Sequence, residues 1–159
     1  MASFRDLTLA RRARRAGARY GLRIIWEARR AGIPISLAFA LVEQESGFRN
    51  ITGADAGAPC PHMRVTPSVV QRILSSPVSN GVGLTQLTYK PYIRQAQAMG
   101  GAHVPRYQLR VGFRALASLI RANGRHAGIR AYNGSGPAAE RYAVVVQRRA
   151  DRWHKILDP

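Results

Sequence analysis

The sequence is centred on one apolar stretch, Ile35-Ser-Leu-Ala-Phe-Ala-Leu-Val-Glu-Gln-Glu-Ser-Gly-Phe-Arg49. Pro34 favours a helix start just after it, and Gly47 suits the left-handed residue that follows a helix. Most residues between these two are good helix formers. The stretch therefore predicts a buried helix over residues 35–46.

Two glutamates lie near the end of this predicted helix. Glu45 belongs to a stripe at helical spacing that is expected to face the core, with Ala38, Leu41 and Val42. Glu43 lies two residues earlier, about 200° around the helix, and is expected to face elsewhere. Burial raises the pKa of a carboxyl group, so a buried Glu45 would keep its proton and could act as a general acid. The alternative is a helix-end glutamate that pairs with an arginine.

The composition indicates one basic domain over residues 1–159. The formal net charge is +17, from 25 lysines and arginines against 8 aspartates and glutamates. Such a charge predicts a polyanionic partner, either nucleic acid or an anionic bacterial envelope. Cys60 is the only cysteine, which excludes an internal disulfide, and Cys60 with His62 are too few ligands for a structural zinc. We therefore predict neither a metal nor a cofactor.

The N-terminal region predicts a long basic helix within residues 1–31 that packs on the rest of the domain. It would run over residues 8–31, with Thr8 as its cap, Gly32 as its stop, and weak points at Gly17 and Gly21. Four arginines share helical spacing and form either a solvated face or a binding face for wall or nucleic acid: Arg12, Arg15, Arg19 and Arg23. No apolar run is long enough for a secretory signal or a membrane span.

The remaining chain predicts further helices joined by loops. Helices are expected at residues 66–74, 89–99, 108–122, 126–132 and 137–157. Residues 49–66 predict an irregular loop that carries Asp55, the only acid between Glu45 and Glu140. Two glycines in Gly81–Thr88 suit a short strand or an extended turn.

Three blocks of this sequence resemble, in order, the signature blocks of the lytic transglycosylase and goose-type lysozyme group: Glu45-Ser-Gly-Phe48, Gly81-Val-Gly-Leu-Thr-Gln-Leu-Thr88 and Ala131-Tyr-Asn-Gly-Ser-Gly136. The amino-acid sequences of residues 42–50, 111–114 and 132–138 are more similar still to the lysozyme-like domain of endolysins from phages of actinobacteria. The likeness covers about Gly32 to Trp153. It implies a mainly α fold of the α+β lysozyme-like superfamily, a helical bundle around a central buried helix 35–46 with at most a short β element near 82–88.

The resemblance also implies a function. Such enzymes cleave the β-1,4 bond between N-acetylmuramic acid and N-acetylglucosamine in peptidoglycan, and Glu45 would be the general acid. Two reactions are then possible. In a hydrolysis, water attacks the sugar, and Asp55 is the candidate second carboxylate. In a lytic transglycosylation, the sugar's own 6-hydroxyl closes an anhydro ring. Tyr132 would lie beside the acid. The substrate contacts would be Ser46, Gln86, Thr88 and Asn133.

The departures from the family pattern concern substrate contacts and product type. Thr85 stands where the wider family usually has methionine, and the loop from Arg49 to Asn80 is longer than in the compact transglycosylases. Both changes are expected to touch the sugar groove.

The expected partners are peptidoglycan glycan strands and the anionic cell envelope, and the protein is expected to be a monomer. We expect it in the host cytoplasm until lysis and then at the cell wall, or associated with the virion. The alternatives are a basic nucleic-acid-binding helical protein, which we consider less favoured, and an inactive wall-binding virion module.

Overall fold

The computed structural model of the protein describes residues 3–158 and is mainly helical, which confirms the predicted class. The helices are α1 (Phe4–Arg15), α2 (Gly21–Ala31), α3 (Ile35–Ser46), α4 (Pro67–Ser75), α5 (Lys90–Ala98), α6 (Pro105–Asn123), α7 (Arg125–Asn133) and α8 (Gly136–Leu157). A short 3₁₀ turn covers Gly83–Thr85. Helix α3 has the predicted bounds. The lysozyme-like architecture stays a prediction.

The predicted single helix over residues 8–31 is wrong, because the chain forms two helices there. Helix α1 starts earlier than expected and is capped by Ser3, whose hydroxyl accepts a hydrogen bond from the Asp6 N–H at 3.1 Å. Thr8 therefore lies inside α1 rather than at its start. The break comes at Gly17, which adopts φ +89°, and Gly32 ends α2 at φ +72° as predicted. Residues 1 and 2 lie outside the described residues.

The chain divides into two compact units, with boundaries inside α3 and α6. The first, here the helical unit, comprises the residues up to Gln44 and those from Phe113 onward. The second, here the loop unit, is Glu45–Gly112 and contains α4 and α5.

The helical unit is held together mainly by apolar helix faces. Every residue from Leu37 to Val42 in α3 is fully buried, and the ring of Phe39 stacks on Trp153 of α8 with centroids 4.9 Å apart. A polar contact joins α1 to the end of α8, where Arg12 donates to the Leu157 carbonyl at 2.6 Å. The periodic apolar pattern of the sequence therefore corresponds to real packing in this unit.

The loop unit has an apolar cluster to which α4, α5 and the connecting loops contribute: Cys60, Val65, Val69, Val70, Ile73, Val82, Leu87, Ile93, Ala96, Ala102 and Val111. Thr66 caps α4 as predicted, since its hydroxyl accepts from the Val69 N–H at 3.3 Å. Isolated antiparallel bridges pair Ile51 with Arg64 and Thr52 with Val82. The β element near 82–88 is thus one bridge followed by the 3₁₀ turn.

The later helices follow the predicted pattern with small shifts at their ends. Helix α6 begins at Pro105 rather than Gln108, and α8 begins at Gly136 rather than Pro137. Among residues 3–158, no helix is both long enough and apolar enough to cross a bilayer.

Candidate functional site

Glu45 lies in the last turn of α3. The helix ends immediately after Ser46, where Gly47 and Phe48 both adopt left-handed backbone angles of φ +56° and φ +60°. Glu45 is half-buried, and so is Glu43. The prediction that Glu45 is buried and differs from Glu43 in this respect is therefore wrong. The physical reason is that the fully buried stretch of α3 stops at Val42, so both carboxylates lie at the helix end beyond it.

Glu43 has three partners within the helical unit. Its Oε2 atom accepts from the Trp153 indole N–H at 3.0 Å and lies 3.1 Å from a guanidinium nitrogen of Arg149. Arg152 donates to the same oxygen. Burial of the Glu43 carboxylate raises its pKa, but the hydrogen bonds from Arg152, Trp153 and Arg149 outweigh this and lower the pKa below its ordinary value of 4.5.

Ser46 connects the end of α3 to the 3₁₀ turn within the loop unit. Its hydroxyl donates to the Leu84 carbonyl at 3.0 Å, and only 5% of the residue is exposed. Its own carbonyl accepts from the Arg49 side chain at 3.2 Å. Ser46 therefore positions the helix end, and its hydroxyl proton is engaged by the protein rather than offered to a sugar.

Gln86 has a largely structural environment. Its side-chain amide donates to the carbonyls of Ile51 at 3.0 Å and Gly83 at 2.8 Å. Its Oε1 atom lies so close to Gly53 and Gly81 that an added Cβ would be 2.7 and 2.3 Å from it. Gln86 thus links the loop segment at Ile51 to the 3₁₀ turn at Gly83. Because these two bonds use both N–H groups of the amide, only the Oε1 atom is left for the predicted substrate contact.

Thr88 and Thr85 lie on opposite sides of Gln86 in the chain and differ in exposure. Thr88 is exposed, and its hydroxyl donates to the Gln86 carbonyl at 3.3 Å. Thr85 is fully buried, donates to the Gln108 carbonyl at 2.9 Å, and packs against Gly112. Our expectation that the threonine at position 85 touches the sugar groove is therefore wrong. It belongs to the interior of the loop unit, where its hydroxyl needs a buried acceptor.

Asp55 is exposed on the loop between α3 and α4. The loop around it is anchored by Asn80, which is fully buried and donates to the carbonyls of Gly53 at 3.0 Å and Pro59 at 2.9 Å. The Asp55 N–H donates to the Asn80 Oδ1 atom at 3.4 Å. Asp55 and Glu45 both belong to the loop unit, and Asp55 is exposed to solvent.

Tyr132 and Asn133 occupy the end of α7 in the helical unit. Tyr132 is half-buried and Asn133 is exposed. The predicted position of Tyr132 beside the Glu45 carboxyl stays a prediction.

Gln108 is a structurally important residue that the sequence reasoning missed. It is fully buried, accepts from the Leu84 N–H at 3.0 Å, and donates to Asn50 Oδ1 at 2.8 Å and to the Ala102 carbonyl at 2.7 Å. A signal was present in its spacing, since Gln108 lies eight residues before the buried Leu116 on one helix face. A polar residue on an apolar stripe indicates a buried hydrogen-bonding role.

Within the described part of the chain, no three histidine, cysteine, aspartate or glutamate side chains are grouped so that they could hold a metal ion.

In comparisons with known proteins, no family model, no curated protein and no solved structure matches this chain significantly. The resemblance drawn from the three sequence blocks remains a prediction.

Proposed function

We propose that the protein is a peptidoglycan-degrading glycosidase of the phage endolysin type, which cleaves the β-1,4 bond after N-acetylmuramic acid with Glu45 as its general acid. The proposal starts from the three sequence blocks. The mainly helical fold is compatible with it, and the excess of arginine suits an anionic bacterial envelope.

The lowered pKa of Glu43 carries the choice of Glu45, because it removes Glu43 as a candidate for the general acid. A general acid must hold a proton near neutral pH. Glu43 cannot do so, because two arginines and the Trp153 indole lower its pKa and keep it ionised. Glu45 is the other half-buried carboxylate at this helix end, and the bond from Ser46 to Leu84 fixes the backbone next to it.

The proposed chemistry begins when Glu45 gives its proton to the departing glycosidic oxygen. The bond to the anomeric carbon breaks and positive charge develops on the sugar ring. In a hydrolysis, water adds to that carbon and gives one proton to a carboxylate, and the exposed Asp55 is the candidate for this base. In a transglycosylation, Glu45 takes the proton of the sugar's 6-hydroxyl, which closes the anhydro ring and regenerates the acid.

Three polar groups are proposed to contact the glycan. The Gln86 Oε1 atom can accept from a sugar hydroxyl or an acetamido N–H, while the exposed Thr88 and Asn133 side chains can donate and accept. Tyr132 is proposed to hold the Glu45 carboxyl in position.

The test compares Glu45→Gln with Glu43→Gln in a turbidity assay on a suspension of bacterial walls. We expect Glu45→Gln to lower the rate about 100-fold or more, because general acid catalysis contributes on that order. Glu43→Gln should retain the rate per folded molecule. Equal losses in the two variants would contradict the assignment.

Mass spectrometry of the released muropeptides then distinguishes the two reactions. Anhydro ends indicate a transglycosylase and reducing ends a hydrolase. Asp55→Asn should slow the reaction only if the products carry reducing ends.

The other functions predict different results in the same assays. A nucleic-acid-binding protein, for which the net charge of +17 is the supporting observation, would leave walls intact and retard DNA with a steep salt dependence. An inactive wall-binding module would sediment with walls and release no muropeptides.

A further inference from the structure

A groove of about 400 Å³ lies where the end of α1 meets the start of α2, within the helical unit. Its lining includes the small residues Ala10, Ala18 and Gly21. The helices approach closely here, since a Cβ at Gly21 would lie 3.4 Å from the Ala10 backbone. Ala18 is 4% exposed. The small side chains leave a concave space between the two helices.

Three arginines line the same groove: Arg14, Arg19 and Arg23. All three are exposed, and no acidic residue contributes to the lining. The groove therefore concentrates three positive charges without a counter-charge of its own, which raises the local positive potential.

These arginines differ from the ion-paired arginines of the helical unit, such as Arg29 and Arg149, in having no acidic partner among the described residues. Elsewhere in the helical unit, Arg29 pairs with Asp6 at 2.7 Å and Arg149 pairs with Glu43 at 3.1 Å. Across residues 3–158, no ion pair involves Arg14, Arg19 or Arg23. The ion-paired acids of this unit thus contact side chains outside the groove, and among residues 3–158 none forms an ion pair with a groove arginine.

The break between α1 and α2 creates this grouping. In the single helix expected from the sequence, Arg12, Arg15, Arg19 and Arg23 would form one stripe. In the structure, Arg12 instead donates to the Leu157 carbonyl. The turn after Arg15 brings Arg14 to the same groove as Arg19 and Arg23.

We propose that this groove, called here the arginine groove, binds a phosphate group. A guanidinium presents a planar fork of N–H donors that matches two oxygens of a phosphate. A phosphate offers more acceptor oxygens than a carboxylate and points them in tetrahedral directions, which suits donors from three positions around a groove. The ligand class is a phosphate oxyanion, available either as free inorganic phosphate or as the phosphodiester of a cell-wall polymer. This site goes beyond the proposed glycosidase and does not involve Glu45.

The test measures binding of inorganic phosphate and, separately, of poly(glycerol phosphate) to the full chain. Titration calorimetry gives the affinity, and the NMR signals of arginine Nε–Hε groups report which guanidinium groups are contacted. The groove variant is Arg14→Gln/Arg19→Gln/Arg23→Gln. The control is Arg125→Gln/Arg141→Gln/Arg148→Gln, which removes the same charge from exposed arginines of the helical unit outside the groove.

We expect the groove variant to weaken binding about tenfold or more, since three charge-assisted contacts are lost, and the control to change it less than about threefold. If inorganic phosphate shows this pattern, free phosphate is a sufficient ligand. If only the polymer shows it, the ligand is the phosphodiester. Equal weakening in both variants would mean that overall charge alone attracts the anion, and it would overturn the proposal. So would the absence of saturable binding of both probes by the unmodified chain.

Discussion

The helical unit and the loop unit are stabilised in different ways. In the helical unit, apolar side chains such as Phe39 and Trp153 fill the spaces between helices whose backbones satisfy their own hydrogen bonds. In the loop unit, much of the backbone is irregular, and buried amide side chains supply the missing partners. The side chains of Gln108 and Asn80 together engage six backbone groups there, namely those of Leu84, Ala102, Gly53, Asp55, Pro59 and Gly81.

This difference teaches that burial alone does not describe how a residue stabilises its surroundings. Leu116 and Gln108 are equally buried on the same helix, α6. Leu116 contributes apolar area, whereas Gln108 prevents several polar groups from being buried without partners. The two units should therefore respond differently to substitutions that preserve size.

The largest difference is expected between two glycines with left-handed backbone angles, Gly83 in the loop unit and Gly17 in the helical unit. A Cβ at Gly83 would lie 2.0 Å from the Gln108 side chain, whereas nothing lies within 4 Å of one at Gly17. Because Gln108 cannot move without losing its hydrogen bonds, we expect Gly83→Ala to cost about 4 kcal/mol or to prevent folding. Gly17→Ala should cost only about 1–2 kcal/mol from the backbone conformation. Chemical denaturation measures both, and similar losses would contradict the packing described for Gly83.

The second comparison introduces methionine at Gln108 and at Leu116, which both lie in α6. Gln108→Met keeps the side-chain length but leaves the Leu84 N–H, Asn50 Oδ1 and the Ala102 carbonyl without this partner, so we expect a loss of about 3 kcal/mol. Leu116→Met should cost less than about 1.5 kcal/mol, because it conserves apolar volume. The measurement is again the free energy of unfolding. If Leu116→Met cost as much as Gln108→Met, the two units would not differ as described.

The smallest effect is expected for Glu43→Gln, which tests a polar cluster of the helical unit. The Glu43 side chain is 19% exposed, so solvent weakens its ion pairs, and we expect a loss of about 1 kcal/mol at pH 7. Because folding lowers the pKa of Glu43, its contribution is present above the ordinary value of 4.5 and disappears as the pH falls through the lowered pKa. Unfolding measured at pH 7 and pH 3 should therefore show the two proteins converging in acid. A difference that grows in acid would contradict the direction of the shift.

Much of the fold could be predicted from sequence because helix signals are local. The apolar spacing of α6 and α8, the Thr66 cap and the glycines at positions 32 and 47 each act within a few residues. The single N-terminal helix was wrong because Gly17 adopts a left-handed angle and breaks a pattern that otherwise continues. That weak point was visible in the sequence, but its consequence depended on how α1 and α2 pack.

The candidate site was predictable in its residues but not in its environment. Helical phase assigned Glu45 to the core and Glu43 elsewhere, whereas the structure leaves both half-buried. The groups that set the ionisation of Glu43 are Arg152 and Trp153, which lie 109 and 110 residues away in sequence. Spacing along one helix contains no information about such partners.

The sequence by itself determined the mainly helical class, the bounds of α3, the strong positive charge and the identity of the two glutamates. Only the tertiary structure decided that Glu43 is held as an anion, that Thr85 and Gln108 are buried, and which arginines line a groove without an acidic residue. The physical reason is the sequence separation between the residues that interact. Helix formation and capping depend on neighbours within about one turn, whereas ion pairs, buried hydrogen bonds and grooves depend on residues that meet only after the chain has folded.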